Sequence, residues 1–304
     1  ARISTLERAG GDKMFEKFLE DSEIDGGTHM LNINVSNLLD GWAERAQGIK
    51  GTGWRDRNGK SIAITGDGKT IVMGSDGYDN DGFTDNGNVR VFDWEESNWI
   101  QRGSGIDMTG KANNNRAGIE VSISDDGNTI AMGALNNPAG VRVFDWDGSA
   151  FLQRGNDIII AEDQTLKCSA LATATSITSG LCSLNSMSMS ADGLTLALGM
   201  FWPPENPYIP IEGRVAVFKW NGDQWIPKGE TEVGRSVSLN QNGKVLAIGS
   251  IAGYTKVFDW DGDNWIQKGE KIPFESETER EENKPTYTTL TADGLTLAIG
   301  SPTY

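Results

Sequence analysis

The sequence LAIGSIAGYTKVFDWDGDNWIQKG at residues 246–269 decides the fold, because degenerate copies of it recur along the chain. It predicts three β-strands, and residues 236–240 just upstream predict a strand that precedes them. The turn between this first strand and the second is Gln241-Asn242-Gly243. Asn-Gly between two alternating apolar runs is typical of a hairpin with a type I′ turn, in which both central residues have positive φ. Each copy therefore predicts an antiparallel sheet of four strands.

Four full copies align on their first turns. Those turns are Asp67-Gly68, Asp126-Gly127, Asp192-Gly193 and Asn242-Gly243. In each copy the second strand ends in glycine and the third ends in tryptophan, at Gly74 and Trp94, Gly133 and Trp146, Gly199 and Trp220, and Gly249 and Trp260. A repeat of roughly 50 to 65 residues with four antiparallel strands is typical of a β-propeller blade. With 38 glycines and dense turn signals, the chain is predicted to be all-β.

Incomplete copies stand at the two ends of the repeat region. Residues 30–48 predict the third and fourth strands of a blade, and residues 286–301 predict the first and second. Joining them in one sheet would remove the open seam of the ring. The prediction is a five-bladed propeller over residues 29–304, with full blades at 59–103, 119–155, 186–229 and 235–269 and a composite closing blade.

Residues 1–28 predict a helical extension. Ser4 and Glu7 have the spacing of a capping box. Further on, Met14, Phe15, Phe18 and Leu19 fall on one helical face. This face could pack against the β domain or bind a partner through Phe15 and Phe18, and both alternatives stay open.

Charge and hydropathy exclude some classes of function. The chain has 43 acidic and 27 basic residues and a net charge of -16, so binding to nucleic acid or to an anionic membrane surface is disfavoured. No apolar run approaches the roughly 20 residues that span a bilayer. The N-terminus also lacks the apolar core of a signal peptide.

The two cysteines flank a Ser/Thr/Ala-rich segment. A disulfide between Cys168 and Cys182 would contribute about 3 kcal/mol in the chain-entropy model and would indicate an oxidising compartment. The alternative is two unrelated thiols.

The repeat as a whole resembles the FG-GAP-like, integrin-α-type propeller repeats that are abundant in diatoms, other marine algae and some bacteria. The resemblance rests on S-x-S-x-x-x-D-G-x-T-x-A-x-G followed by G-x-V-x-V-F-D-W-D-G-x-x-W-x-Q-x-G, and it covers residues 30–304. It implies a propeller that binds or scaffolds, usually outside the cytosol or in an organelle lumen, with no shared activity.

Integrin-type repeats hold Ca²⁺ in a D-x-D-x-D-G loop, and this chain has no complete copy of that motif. The nearest segment offers four carboxylates as candidate ligands, Asp76, Asp79, Asp81 and Asp85. Gly77 stands where a spaced ligand is expected, and Asp/Asn/Gly clusters are also ordinary turn chemistry.

Catalytic residues are sparse. The single histidine, His29, nearly excludes a histidine-dependent triad or a multi-histidine metal site. Some five-bladed propellers are glycosidases with paired carboxylates near the axis, but here the first strands offer Glu120 alone. The other copies have Ser61, Ser186, Ser236 and Tyr287 at that position. The recurring aromatic residues are predicted to form the core between blades rather than a sugar-stacking surface.

Two insertions suggest binding, since long loops on a rigid scaffold commonly carry it. These are residues 156–185 and a Pro-rich loop at 201–210 with Trp202, Tyr208 and Ile209. The leading hypothesis is a non-enzymatic interaction or scaffold propeller that binds other protein subunits of a larger assembly. The alternatives are a secreted or surface adhesion or carbohydrate-binding propeller, with or without Ca²⁺, and a glycan-cleaving enzyme that uses Glu120.

Overall fold

Antiparallel sheets of four strands repeat along the chain in a computed structural model. The structure describes residues 2–3, 6–8, 42–80, 82–104, 108–135, 140–159, 183–202, 212–230, 232–273 and 286–301. These residues contain no helix, and therefore none that could cross a bilayer. The predicted all-β class is confirmed for this part of the chain, and the fold is β-propeller-like.

The strands follow the copies of the repeat. Before the first full copy lie β1 (Arg2–Ile3), β2 (Leu6–Arg8), β3 (Trp42–Glu44) and β4 (Ile49–Lys50). The first blade contains β5 (Ser61–Ile64), β6 (Thr70–Ser75), β7 (Asn88–Glu95) and β8 (Asn98–Arg102). The second contains β9 (Val121–Ile123), β10 (Thr129–Ala134), β11 (Gly140–Trp146), β12 (Phe151–Gln153) and the short β13 (Ile158–Ile159).

The third blade contains β14 (Ser183–Met189), β15 (Thr195–Trp202), β16 (Glu212–Trp220), β17 (Trp225–Pro227) and β18 (Glu232–Val233). The fourth contains β19 (Ser236–Leu239), β20 (Val245–Gly249), β21 (Tyr254–Trp260), β22 (Trp265–Gln267) and β23 (Ile272–Pro273). The hairpin of β24 (Tyr287–Leu290) and β25 (Leu297–Gly300) follows. In each full blade the first four strands pair in sequence order, and β13, β18 and β23 each pair with the third strand of their blade.

The apolar core lies between blades. One cluster joins Val72 and Val91 of the first blade to Ile130 and Phe144 of the second, and similar clusters join the second blade to the third and the third to the fourth. The phenylalanines of the third strands, Phe92, Phe144, Phe218 and Phe258, are all buried. The prediction that the recurring aromatic residues form the core between blades is thus confirmed for these positions.

The first turn of each copy has a different geometry from the prediction. Only the glycine has positive φ, for example 64° at Gly243, and Asn242 is absent from the described residues with positive φ. Gly243 N donates to Asn240 O at 3.0 Å, and Asn240 N donates to Val245 O at 3.0 Å, which closes a four-residue loop. Loops of this length are usually built around a type I turn. The type I′ prediction is therefore wrong.

In three of the four full copies the repeat glycine of the second strand lies under the chain that enters the next blade, at Gly74, Gly199 and Gly249. A Cβ added at Gly199 would stand 2.0 Å from the carbonyl oxygen of Arg235, and one at Gly249 would stand 2.2 Å from that of Thr286. Any side chain would force these backbone segments apart. The repeat therefore keeps glycine here because two blades approach at this point.

A basic side chain at the end of the fourth strand reaches across to the next blade. It donates to the carbonyl oxygen of the glycine in that blade's first turn, and we call this contact the inter-blade clamp. The three clamps from one full blade to the next join Arg102 to Gly127 (2.7 Å), Arg154 to Gly193 (2.9 Å) and Lys228 to Gly243 (2.6 Å). In the first two, an aspartate of the third strand also pairs with the arginine, and Arg154 Nε lies 2.6 Å from Asp145 Oδ2.

The clamp of the third blade lacks its carboxylate, because Lys219 stands where the other full blades have aspartate. Lys228 is buried and its ammonium lies 5.1 and 5.2 Å from the ring centres of Trp260 and Trp265. Burial lowers the pKa of Lys228 to about 8, with attraction to Asp192 opposing and repulsion from Lys219 adding to the shift.

Nearer the axis, serine hydroxyls of one first strand accept hydrogen bonds from the backbone of the next. Ser186 and Ser188 accept from Val237 N and Leu239 N at 3.1 and 2.9 Å. Ser236 and Ser238 accept from the backbone N–H groups of the following hairpin at 3.1 and 2.9 Å. The first strand is the inner edge of its sheet, so these hydroxyls satisfy donors that have no strand partner.

The N-terminal residues differ from the prediction. Leu6–Arg8 form a strand that pairs with Trp42–Glu44, and Arg2–Ile3 pair with Ile49–Lys50. A helix through Ser4 and Glu7 is therefore wrong at Leu6–Arg8, where long-range strand pairing overrides the capping-box spacing. The predicted helical face with Phe15 and Phe18, and the strand expected within residues 31–41, lie outside the described residues.

We expect Gly199→Ala to lower the free energy of unfolding by about 1–3 kcal/mol, the cost of overpacking a tight contact. Urea unfolding followed by tryptophan fluorescence measures this change. Gly53→Ala is the control, because a Cβ at Gly53 meets nothing within 4 Å. Equal effects of the two substitutions would contradict the inter-blade explanation.

The lowered pKa of Lys228 predicts that the stability of the protein depends on pH. The folded pKa of this lysine lies below its unfolded value, so the native state releases the proton first as pH rises from about 8 towards 10.5. The contribution of Lys228 to the free energy of unfolding is therefore lowest at neutral pH and rises through this window. We expect the wild type to gain stability relative to Lys228→Met between pH 7 and about pH 9.5. A difference in unfolding free energy between wild type and Lys228→Met that does not change with pH would contradict the lowered pKa of Lys228.

Candidate functional site at the loop end of the first blade

Strained backbone concentrates at one end of the first blade, opposite its Asp67-Gly68 turn. Among the described residues, six that are not glycine have positive φ, and five of them lie in the loops at this end: Arg55, Arg57, Asp85, Asn114 and Arg116. Such conformations cost about 1–3 kcal/mol each and cluster at functional sites. This concentration makes the loop end of the first blade the candidate site.

Three segments form the site, and backbone hydrogen bonds join them. Gly77 N donates to Asp56 O at 3.2 Å, which ties the loop before β5 to the loop between β6 and β7. Asn114 N and Arg116 N donate to Thr84 O and Asp85 O at 2.8 and 3.0 Å, which adds the chain that enters the second blade. The strained residues are therefore held from more than one side.

Trp54 projects from the first of these segments with 84% of its surface exposed. The guanidinium of Arg55 lies 4.1 Å from the centre of its ring. Behind them, the buried carboxylate of Asp56 accepts hydrogen bonds from Thr52 N at 2.7 Å and Gly53 N at 3.1 Å. Burial raises the pKa of Asp56, but backbone hydrogen bonds from Gly53, Thr52 and Asn58, with one from the Thr52 side chain, outweigh burial and the pKa is lowered. The ionised Asp56 thus fixes the loop that presents Trp54.

Asp76, fully buried, joins the other two segments. Arg116 Nη2 and Nε lie 2.6 and 3.1 Å from its Oδ2, and Arg57 Nε lies 3.0 Å from its Oδ1. The contact with Arg57 is an ion pair without the alignment of a hydrogen bond. Arg57 Nη2 also lies 3.4 Å from Asp85 Oδ1. One buried carboxylate therefore holds two arginines in left-handed backbone conformations.

The four predicted calcium ligands are not gathered as a group in the described residues. Asp76 contacts two guanidinium groups, Asp79 Oδ1 accepts a hydrogen bond from Asp85 N at 2.7 Å, and Asp81 lies outside the described residues. Within the described ranges, no three Asp, Glu, His or Cys side chains lie close enough to hold a metal ion. Calcium binding stays a prediction.

Glu120, the candidate acid of a glycan-cleaving enzyme, lies just before β9 at the same end of the fold as the strained loops. Burial raises its pKa to about 7, against the attraction of Lys60. The first strands of the other described copies place Ser61, Ser186, Ser236 and Tyr287 at this position, so no second carboxylate faces it from there. Paired carboxylates are what glycoside hydrolysis requires.

The remaining predicted site residues are largely outside the described part of the chain. Trp202 ends β15 and pairs with Glu212, at the same end of the fold as Trp54. Tyr208, Ile209, Phe15, Phe18, Cys168 and Cys182 lie outside the described residues, so their predicted roles stay predictions.

Sequence reasoning missed Trp54, Arg57 and Arg116. A signal for the first was present, because eight of the ten tryptophans occupy repeat positions and Trp54 and Trp202 do not. No local pattern indicated the arginines, since they meet Asp76 across 19 and 40 residues of sequence.

Comparison with known proteins gives matches of fold only. No family model and no curated protein sequence matches the chain. Solved structures that resemble the chain include these two. One is a protein of Bacteroides uniformis to which 6-phosphogluconolactonase activity is ascribed, with 15% identity, a TM-score of 0.45, and coverage of 70% of this chain and 54% of that one.

The other is a periplasmic gluconolactonase of Pseudomonas aeruginosa, with 12% identity and a TM-score of 0.46. That match covers 79% of this chain and 64% of the gluconolactonase. The chain thus spans less than two thirds of the length of either structure. Sequence identities this low are not evidence that the chain shares the activity of either protein.

We expect Asp76→Asn to lower the free energy of unfolding by about 3 kcal/mol, because removing one partner leaves two guanidinium groups without a buried counter-charge. Both arginines are partly exposed, which places the effect at the lower end for buried pairs. Chemical denaturation measures it, with the exposed Asp263→Asn as control. Equal stability of the two variants would contradict the role of Asp76.

Proposed function

We propose that this protein is a non-enzymatic interaction propeller that binds another protein chain through Trp54 and Arg55. The observation that carries the proposal is a largely exposed tryptophan on a loop fixed by Asp56, beside the strained backbone of the first blade. Tryptophan and arginine are the residues most enriched among those that dominate binding energy at protein interfaces. A rigid anchor also loses little conformational entropy on binding.

The chemistry of the loop indicates the partner surface. Arg55, Arg57 and Lys60 are exposed on the same chain segment as Trp54, whereas the chain as a whole has a net charge of -16. A partner that offers an apolar pocket for the indole and a carboxylate for Arg55 would match this loop. The acidic remainder of the chain would repel a generally acidic partner, so the contact would be local.

The proposal includes a closed ring of five blades. Four full blades and a composite fifth would form a ring of the FG-GAP-like, integrin-α type, acting as an accessory subunit of an assembly outside the cytosol. The described sheets support the repeat, and a cavity of about 400 Å³ supports the ring, because the first turns of all five copies line it.

Carbohydrate binding is the second candidate. An exposed indole ring is a flat apolar surface on which a sugar ring can stack, and this is the observation that favours it. Arg55 already covers one face of Trp54, which leaves a single face for such a ligand.

The test is affinity capture from native source material with four baits: wild type, Trp54→Ala, Arg55→Ala and Leu152→Ala. Leu152 is a matched control, since it is an exposed apolar residue on the outer strand of the second blade. We expect a fixed set of proteins with wild type and Leu152→Ala. With the recovered partner purified, Trp54→Ala should weaken binding by about 30-fold, a loss of roughly 2 kcal/mol.

Equal recovery with all four baits would overturn the assignment of Trp54, and recovery of the bait alone would overturn protein binding. Glycan-array binding that is lost in Trp54→Ala would support the second candidate.

A further inference from the structure

The N-terminal strands occupy the place of a third strand, by the register of their pairing. In the second blade, β11 pairs with β12 through Phe144 and Gln153 and with β13 through Val141 and Ile158. At the N-terminus, Leu6 pairs with Glu44 and Ile3 with Ile49. The spacings are identical. The two positions on the third strand are three residues apart in both cases, and their two partners are five residues apart. Arg2–Ile3 and Leu6–Arg8 therefore correspond to residues 140–141 and 144–146, and β3 corresponds to a fourth strand.

The inter-blade clamp gives the same correspondence independently. Arg45 follows β3 as Arg154 follows β12, and its Nη1 donates to Gly68 O of the first blade at 2.8 Å. Its guanidinium lies 4.1 Å from the centre of the Trp94 ring. Residues 42–50 thus lie against the first blade as the fourth strand of a preceding blade would. In this alignment Glu7 takes the position of Asp145, the carboxylate of the clamp.

The hairpin of β24 and β25 supplies what this blade lacks. Within the described residues, β25 pairs with β24 alone, whereas every other second strand pairs on both sides. Thr296 is exposed, while the threonines at its position, Thr70, Thr129 and Thr195, are buried and bond the clamp residues of their blades.

Apolar side chains remain exposed on the side of the first blade that would face this closing blade. Ile62 and Ile64 are 57% and 54% exposed, although their equivalents Val121 and Ile123 are 5% and 9% exposed. On the hairpin, a Cβ added at Gly300 meets nothing within 4 Å, whereas the glycines at its position in the full blades are covered. Both sides of one seam are therefore uncovered.

We propose that the ring closes by pairing β25 with β1 and β2, which makes one blade from these strands, β3 and the β24–β25 hairpin and buries Ile62 and Ile64. The register sets Thr296 opposite Glu7 and Gly300 opposite Ile3. In the closed blade Arg45, Glu7 and Thr296 complete the clamp onto the first blade. This inference rests on the five-bladed ring proposed above and is independent of protein binding by Trp54.

The test is a disulfide cross-link in the full chain, with Glu7→Cys and Thr296→Cys together. Val245→Cys with Asp259→Cys is the positive control, because these residues are Cα partners at the equivalent position of the fourth blade. Ile3→Cys with Thr296→Cys, displaced by four residues, is the negative control. After mild oxidation, linked peptides are identified by mass spectrometry on monomer isolated by size exclusion.

We expect the Glu7/Thr296 pair to cross-link within the monomer to at least half the extent of the positive control, and the displaced pair to remain reduced. Absence of the bond under conditions that link the positive control would overturn the proposal. A bond found only between two molecules would also overturn it, since the edge of β25 would then be taken by a second copy.

Hydrogen exchange on the wild-type chain tests the same pairing without substitutions. Gly133 N donates to Glu120 O on the side of the first strand, so the alternating amides of Ile130 and Met132 face the third strand. The corresponding amides are those of Leu297 and Ile299. We expect them to exchange within about tenfold of the Leu246 and Ile248 amides, and exchange more than about 100-fold faster would overturn the pairing. Neither measurement involves a partner, so a failed capture experiment leaves this test unaffected.

Discussion

Polar contacts that pass from one blade to the next hold the repeat together at more than one distance from the axis. Serine hydroxyls near the axis satisfy the inner edge strand of the following blade, and the basic residue of the inter-blade clamp bonds its first turn farther out. A four-stranded sheet alone would leave these donors and acceptors without partners. Each sheet therefore depends on the neighbouring blade for its polar contacts. The serine, glycine and arginine positions recur in the sequence because they make those contacts.

The sequence indicated the features that arise within one blade. Alternating apolar residues, Asp-Gly turns and the third-strand aromatics located the strands and the core of the full copies. It could not indicate features that depend on distant pairing. The spacing of Ser4 and Glu7 suggested a helix, but Leu6–Arg8 are in a strand because Trp42–Glu44 offers them a backbone partner. The Asn-Gly turn was recognised, but its type depended on a hydrogen bond at Asn240 that propensity does not encode.

The candidate site illustrates the same limit in its chemistry. A cluster of aspartates with glycines resembles a calcium loop when charges are counted along the chain. In the folded molecule, Arg57 and Arg116 bring positive charge to Asp76 from two other segments, so the most buried carboxylate of the cluster has guanidinium partners. Trp54 was equally hard to interpret, because its loop gains rigidity from Asp56, whose hydrogen bonds are visible only in three dimensions.

The clamp also gives the row of blades a direction. Each of the first three full blades presents a cationic donor on its outer strand, and that donor reaches the first-turn glycine carbonyl of the blade that follows in sequence. A segment copied in tandem carries one donor and one acceptor, so its insertion leaves no polar group unmatched at either new boundary. Genetic duplication could thus lengthen such a protein one blade at a time, and Lys219 with Lys228 show that an individual copy can then diverge while its carbonyl contact persists.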